Sequence, residues 1–377
     1  MKVALVTLRG ENYGSSLQQY ALWYVLEHRY PGTQCVFLNY QRDYLYDAAC
    51  WLARKTLAAL LRRDDTPSET LGEFVHDVLG RKQQVQNADL VRQRFREFWS
   101  LSRTEGPFTR KSIRSCGDLY SKYFVGSDQV WNCGRLNINT AYMLDFVKQD
   151  AKKYSYASSV GLSAIPPKYR TRYQRCLGSF HRISCRESSS RQMLETLLQR
   201  PVEVHLDPTL LLDGEQWHQT AAKGQAQLPQ EPYILVYTLL HDDPLALDTA
   251  NRVARQAGIS RVMVLCGNLA ENEGAGPLEW LQWFEGAAYV VTDSFHGTVF
   301  STVFHKPFAA CVPDVNTGSN AGNRIVDYLT LLGLEQRILR RKEDLLPEPA
   351  VEYEEADGIL QRERQRSFAY LDACMED

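Results

Sequence analysis

Short apolar runs, each handing over to a cluster of small or polar residues, recur along the whole chain and constrain its fold more than any other feature. They occupy 2–8, 35–39, 123–125, 153–157, 182–185 and 202–206, and then 233–237, 261–265, 289–292 and 308–312. Runs this short read as strands, and the most apolar of them as strands with both faces covered. Between them lie stretches of helical spacing, such as Leu17, Tyr20, Ala21, Tyr24 and Val25. Strands alternating with helices, joined by right-handed crossovers, predict parallel sheets. The expected fold class is α/β: two Rossmann-like, doubly wound domains facing a cleft, with a helical insertion in the first and a C-terminal helix.

At 377 residues the chain is long enough for two such units. The first is placed at 1–217, with the charge-rich helical insertion at about 44–110. A polar, Gln-rich linker at 218–231, closed by Pro229 and Pro232, leads to a second domain at 232–353. Residues 354–377 form a final charged helix.

Forty-three basic and 45 acidic side chains leave a net charge of -2 without a long block of one sign, which argues against a nucleic-acid partner. No apolar run approaches membrane-spanning length, so membrane association is expected to be peripheral at most. The start, Met1 to Leu8, turns polar at Arg9 and is too short for a signal peptide. The nine cysteines are odd in number, scattered and never at CxxC spacing, which fits reduced thiols in a cytoplasm and no zinc site. A small-molecule partner is favoured; oligomeric state is left open.

In open parallel sheets, ligands sit at the carboxyl ends of strands, where helix N-termini present unpaired N–H groups. Five polar clusters fall at such ends: Asn12-Tyr13-Gly14-Ser15-Ser16, Gly126-Ser127-Asp128-Gln129, Ser158-Ser159-Val160-Gly161, Arg186-Glu187-Ser188 and Asp293-Ser294-Phe295-His296-Gly297. Asn, Ser, Asp and Gly are also the ordinary residues of turns and caps, and for the Asn12 and Ser158 loops that reading is the stronger one. His296 stands apart, because an imidazole in the first turn of a helix between two apolar runs faces the ligand edge and titrates where acid-base work is done. Arg186, between a strand and a Ser-rich helix start, suits a carboxylate or phosphate; a salt bridge is its plainer alternative. Asp128 and Gln129 could position sugar hydroxyls, with Trp131 either a stacking face or a core residue.

Six motifs in order then resemble the polysaccharide pyruvyl transferase family over about residues 1–335, outside the insertion. They are Asn12 to Leu22, Val125 to Asn132, Ser155 to Gly161, Ser184 to Glu187, Asp207 to Leu211 and Thr292 to Thr298. The resemblance implies a two-domain fold similar to the GT-B glycosyltransferases and transfer of pyruvate from phosphoenolpyruvate onto two hydroxyls of a sugar, giving a cyclic ketal. It implies no cofactor beyond phosphoenolpyruvate as co-substrate, and a sugar or lipid-linked oligosaccharide as acceptor, held by the first domain.

Carried over by motif, His296 would be the catalytic acid-base residue and Arg186 a donor-anion ligand. Beside them, Asp128 is a further catalytic candidate, Ser294 and Gly297 are donor-binding candidates, and Asn12, Ser15, Ser127, Gln129 and Trp131 are acceptor-binding candidates. Where well-studied members read Arg-Leu-His, this chain reads Ser294-Phe295-His296, so one donor-clamp charge is missing. Arg324 is the candidate to replace it. The rival classes are a GT-B-type glycosyltransferase using a nucleotide-sugar and a non-catalytic sugar-binding relative.

Overall fold

A computed structural model describes residues 1–41, 88–133, 139–239, 243–266, 274–313 and 321–377. The first sheet is built from β1 (Lys2–Val6), β2 (Gln34–Tyr40), β3 (Thr104–Phe108), β4 (Lys122–Val125) and β5 (Lys153–Ser155), all parallel, in the order β3-β2-β1-β4-β5. Parallel bridges from Tyr154 to Arg182 and from Ser158 to Cys185 continue it into β6 (Ser184–Cys185) and β7 (Glu203–Val204). The second sheet holds β8 (Tyr233–Thr238), β9 (Arg261–Cys266), β10 (Tyr289–Thr292), β11 (Phe308–Cys311) and β12 (Ile338–Leu339), parallel, in the order β12-β11-β10-β8-β9. These are the two common doubly wound orders.

The unbroken hydrophobicity of the strands has the expected cause. Val3 and Leu5 enter one core cluster and Ala4 and Val6 another, and Cys35 and Phe37 divide from Val36 and Leu38 in the same way. Successive side chains on a strand point to opposite faces, and here each face meets helices or loops. A buried Val or Leu contributes roughly 1.5–3 kcal/mol, so a polar substitution at one β1 position opposes the layer that its side chain meets.

The helices are α1 (Tyr13–His28), α2 (Ala88–Ser100), α3 (Pro167–Leu177), α4 (Ser188–Leu198), α5 (Gly214–Ala221), α6 (Pro244–Ala257), α7 (Pro277–Gly286), α8 (Phe295–Val303), α9 (Ala321–Leu332) and α10 (Glu354–Glu376). The domains are joined by continuous packing. Tyr13 of α1 stacks on Trp280 of α7 at 5.7 Å between centroids, and its hydroxyl donates to Ala275 O at 2.8 Å. Arg94 of α2 donates to Gly274 O at 2.8 Å. Helix α10 returns from the second domain to the first, where Tyr370 donates to Ser155 O, Arg29 pairs with Asp372, and Arg182 pairs with Asp377.

Two expectations need correction. The insertion at 44–110 is not helical throughout: 104–108 is β3, the edge strand paired with β2. Its Gly106-Pro107 pair reads as a turn, yet an edge position leaves a proline without the ladder bond it cannot make. The part at 44–87 lies outside the described residues. The linker expected at 218–231 begins inside α5, whose capping box is closed by Asp213 and Gln216. Beyond it, Gln225 and Ala226 donate their N–H groups to Glu279 and Gln282 of α7, so this stretch is fastened to the second domain.

Candidate active site

Strand order creates two crevices. In the first sheet β1 sits between β2 and β4, and in the second β8 sits between β9 and β10. Helices leave in opposite directions at such switch points, opening a crevice at the carboxyl ends. In the first domain the chain leaves β1 towards Asn12 and leaves β4 into Gly126 to Gln129. In the second it leaves β10 into Asp293 to His296.

Asn12 is exposed and caps α1, its Oδ1 accepting from Ser15 N at 2.9 Å. Capping therefore accounts for its side-chain acceptor. Ser15 Oγ donates to Asp128 Oδ2 and ties the two walls of the crevice together. Asp128 adopts φ 68°, a left-handed conformation that short polar side chains tolerate, and its Oδ1 accepts from Gln129 N at 2.8 Å. Gln129 Oε1 accepts from Asn132 at 2.9 Å.

Below this rim lies a buried charge cluster. Arg186 Nη1 donates to Asp207 Oδ2 at 2.7 Å and Nε donates to Glu187 Oε1 at 2.9 Å. Asp207 Oδ2 also accepts from Ser127 Oγ at 2.9 Å, while Oδ1 accepts from Thr209 N at 3.0 Å and Thr209 Oγ1 at 2.7 Å. Burial works against ionisation of Asp207, but His296 and then Arg186 outweigh it and hold the carboxyl well below the usual range. Burial likewise opposes the charge on Arg186, and Glu187, Asp207 and Asp128 override it. Arg186 Nη2 is buried and has no hydrogen-bond partner among the described residues.

His296 arrives from the other domain. Ser294 caps α8, its Oγ accepting from Gly297 N at 3.4 Å, and so places His296 in the first turn. Its Nε2 stands 3.8 Å from Asp207 Oδ2, an ion-pair separation rather than a hydrogen bond. That nitrogen is buried and lacks a hydrogen-bond partner among the described residues. Beside it the Phe295 ring faces two guanidiniums, with Arg186 Cζ at 5.0 Å and Arg324 Cζ at 5.8 Å from the ring centroid. Arg324 Nε is buried and unpartnered among the described residues. Burial, then the neighbouring Arg186, lower its pKa from the ordinary guanidinium value.

A cavity of about 450 Å³ opens at this point, lined by Arg186, Ser188, Asp207, Phe295, Arg324 and neighbouring residues. Helix α4 begins at its wall, where Glu187 and Ser188 line the cavity, and its N-terminus has no side-chain cap. His296 is not among the lining residues, but its neighbours Phe295 and Asp207 are. The structure brings Asn12, Ser15, Ser127, Asp128, Arg186 and His296 into one neighbourhood. Ser127 and Arg186 are buried there, so the expected solvent-filled groove is instead closed packing around a cavity.

Three sequence-derived candidates sit elsewhere or act otherwise. Trp131 is 1 % exposed, its Nε1 donates to Tyr142 O at 3.0 Å, and it is a core residue, so it offers no stacking face. Gly297 does not open the backbone to a ligand: a Cβ there would lie 3.0 Å from Thr292 Cβ and 3.1 Å from Tyr237 Cδ1, so its smallness serves helix-to-strand packing. Ser294 is buried as a cap rather than presented to the cavity.

Two acidic residues were missed. Asp207 lies in Asp-Pro-Thr, which is ordinary turn chemistry, and Glu187 at a helix start, so neither stands out as a site residue. Their signal was the need of a buried arginine for counter-charges.

Asp293, at the second crevice, accepts from Leu239 N at 2.8 Å and so bridges β8 and β10. Burial, with nearby Asp243 adding to it, raises its pKa to about 7. A raised folded value means that the protonated form favours the native state, and this advantage is lost as pH climbs from about 4 through 7. Asp293→Asn, which keeps the acceptor, should therefore melt higher than wild type at pH 8 and at the same temperature at pH 4. Melting curves at the two pH values check this.

The fold and the cluster together define a two-domain α/β protein in which polar and charged groups from both switch points meet. Residues 12–314 match the polysaccharide pyruvyl transferase family, and the chain belongs to that family. No curated protein matches it. Among solved structures it is similar to the Escherichia coli ADP-heptose lipopolysaccharide heptosyltransferase II, at 10 % identity and TM-score 0.35 over 96 % of this chain and 99 % of that one. It is also similar to the UDP-GlcNAc 2-epimerase of Neisseria meningitidis, at 10 % identity and TM-score 0.42 over 97 % and 100 %. The architecture rests on the strand orders above rather than on these distant likenesses. Among the described residues no helix is long and apolar enough to cross a membrane.

Proposed function

We propose that this protein transfers pyruvate from phosphoenolpyruvate to two hydroxyls of a sugar in a cell-surface polysaccharide or its precursor, forming a cyclic ketal. The observation that supports this most is the pair of guanidiniums, Arg186 buried and Arg324 partly buried, each with one N–H that has no partner among the described residues, flanking Phe295 on one cavity beside a helix N-terminus. A donor with a carboxylate and a phosphate suits two such groups and the free N–H groups of α4. Arg324 stands against the residue that follows Ser294, which supports it as the replacement for the missing motif arginine.

In the proposed reaction His296 delivers a proton to the donor's methylene carbon, and the resulting cation-like centre is attacked by one sugar hydroxyl, which gives up its proton. Phosphate leaves with the electrons of its C–O bond, and the second hydroxyl closes the ring as its proton departs. His296 is returned to its starting state by taking one of these protons. Asp207, held ionised 3.8 Å from Nε2, places a fixed negative charge beside the ring. The reaction needs no cofactor beyond its co-substrate. The described cysteines are buried and form no disulfide with one another, which supports a reducing, cytoplasmic setting.

Arg186→Ala and Arg324→Ala should each weaken phosphoenolpyruvate binding by at least ~10-fold, the effect of losing one charge-assisted hydrogen bond. Titration calorimetry with phosphoenolpyruvate and with UDP-sugars measures this. Binding of a UDP-sugar but not phosphoenolpyruvate would support the glycosyltransferase reading instead, and binding of neither would support a non-catalytic relative.

A further inference from the structure

The side chain absent from Gly14 is the space that the His296 imidazole occupies. Gly14 is the second residue of α1 in the first domain, and His296 the second residue of α8 in the other. An ideal Cβ on Gly14 would lie 2.6 Å from both Cγ and Cε1 of His296, and closer still to Nδ1. Real carbon contacts stop at about 3.4 Å or beyond, and the obstacle here is a ring held on its other side by the Asp207 ion pair. Gly14 has no positive φ, so backbone conformation does not require glycine at this position. Close approach of the imidazole does.

We propose that Gly14 is a positioning residue: it seats the imidazole supplied by the opposite domain, so that the site is complete only when the domains are closed. Resting on the catalytic reading of His296, this assigns a role to the first-domain loop that capping by Asn12 does not explain. Ser15, the next residue, ties the same turn to Asp128, so the socket is fixed against the β4 crevice. One face of the ring meets Gly14 and its Nε2 meets Asp207. The first domain thus sets both the place and the charge environment of the second domain's proton carrier.

A double-mutant cycle tests the contact without relying on activity. Gly14→Ala should lower the melting temperature of the full-length protein in the wild-type background and leave it unchanged in the His296→Ala background, where the ring is gone. An equal loss in both backgrounds overturns the proposal. In ketal-forming assays Gly14→Ala should lower kcat by ~10²-fold, the scale of a 1 Å misplacement, with donor KM little changed. Wild-type kcat in Gly14→Ala also overturns it. If His296→Ala keeps wild-type kcat, the catalytic reading fails, while the melting cycle still decides whether Gly14 seats the ring.

Discussion

His296→Ala is expected to lower turnover by ~10²- to 10⁴-fold, the range for loss of a positioned acid-base group, while the protein folds and melts close to wild type. The ring stands at the junction of two domains rather than in either core, and its side chain is 12 % exposed. Its removal leaves Asp207 with Arg186, Ser127 and both Thr209 donors, so no buried charge is stranded. Donor affinity should change little, because the cavity is lined by the arginines and not by the imidazole. Circular-dichroism melting, calorimetry with phosphoenolpyruvate and a ketal assay on the same preparation separate these effects. A variant that melts far below wild type yet keeps its specific activity would make His296 a packing residue.

Asp207→Asn should act in the opposite way, with a large loss of stability. The carboxylate is fully buried and is the shared acceptor for Arg186, Ser127 and Thr209. Removing one partner of a buried ion pair leaves the other uncompensated and costs ~3–5 kcal/mol. The pH dependence follows from the direction of its shift. The folded pKa lies below the unfolded value, so the stabilisation is present above about pH 4 and is lost as pH falls below it. Urea unfolding at pH 7 should show the full gap between wild type and variant, and the gap should narrow progressively below pH 4. A gap that is absent at pH 7, or that widens in acid, would show that Asp207 does not carry the cluster.

The two carboxyl groups near the site titrate in opposite senses for one physical reason. Asp207 is buried among cations and stays ionised, whereas Asp293 is buried beside another acid and is pushed to about 7. Neither environment can be inferred from the local sequence, since Asp-Pro-Thr and Thr-Asp-Ser are equally ordinary turns.

Strand positions were legible because burial on both faces forces unbroken apolar runs, and β1, β2, β8 and β10 lie where those runs do. β3 was not, because Gly106-Pro107 carries a turn signal that only its edge position overrides. His296 and Arg186 stood out as chemically conspicuous residues at strand-to-helix handovers, a local property. Trp131 misled for the same reason: an aromatic beside polar loop residues looks like a stacking face, and only the packing of Tyr142, Tyr173 and Phe180 shows it enclosed.

What the sequence by itself determined was the alternation of strand and helix, the strand ends at which polar groups collect, and the identity of those groups, since each follows from residues close along the chain. Tertiary structure alone decided that Asp207 and Arg186, 21 positions apart, share a buried charge-assisted hydrogen bond, that Arg324 reaches the ring Arg186 faces, and that Gly14 and His296, 282 positions apart, occupy one space. Those relations arise from how two sheets are docked, through contacts such as Tyr13 on Trp280 and the return of α10. Local patterns of hydrophobicity and turn chemistry carry no record of that docking, because it depends on the fit of whole surfaces.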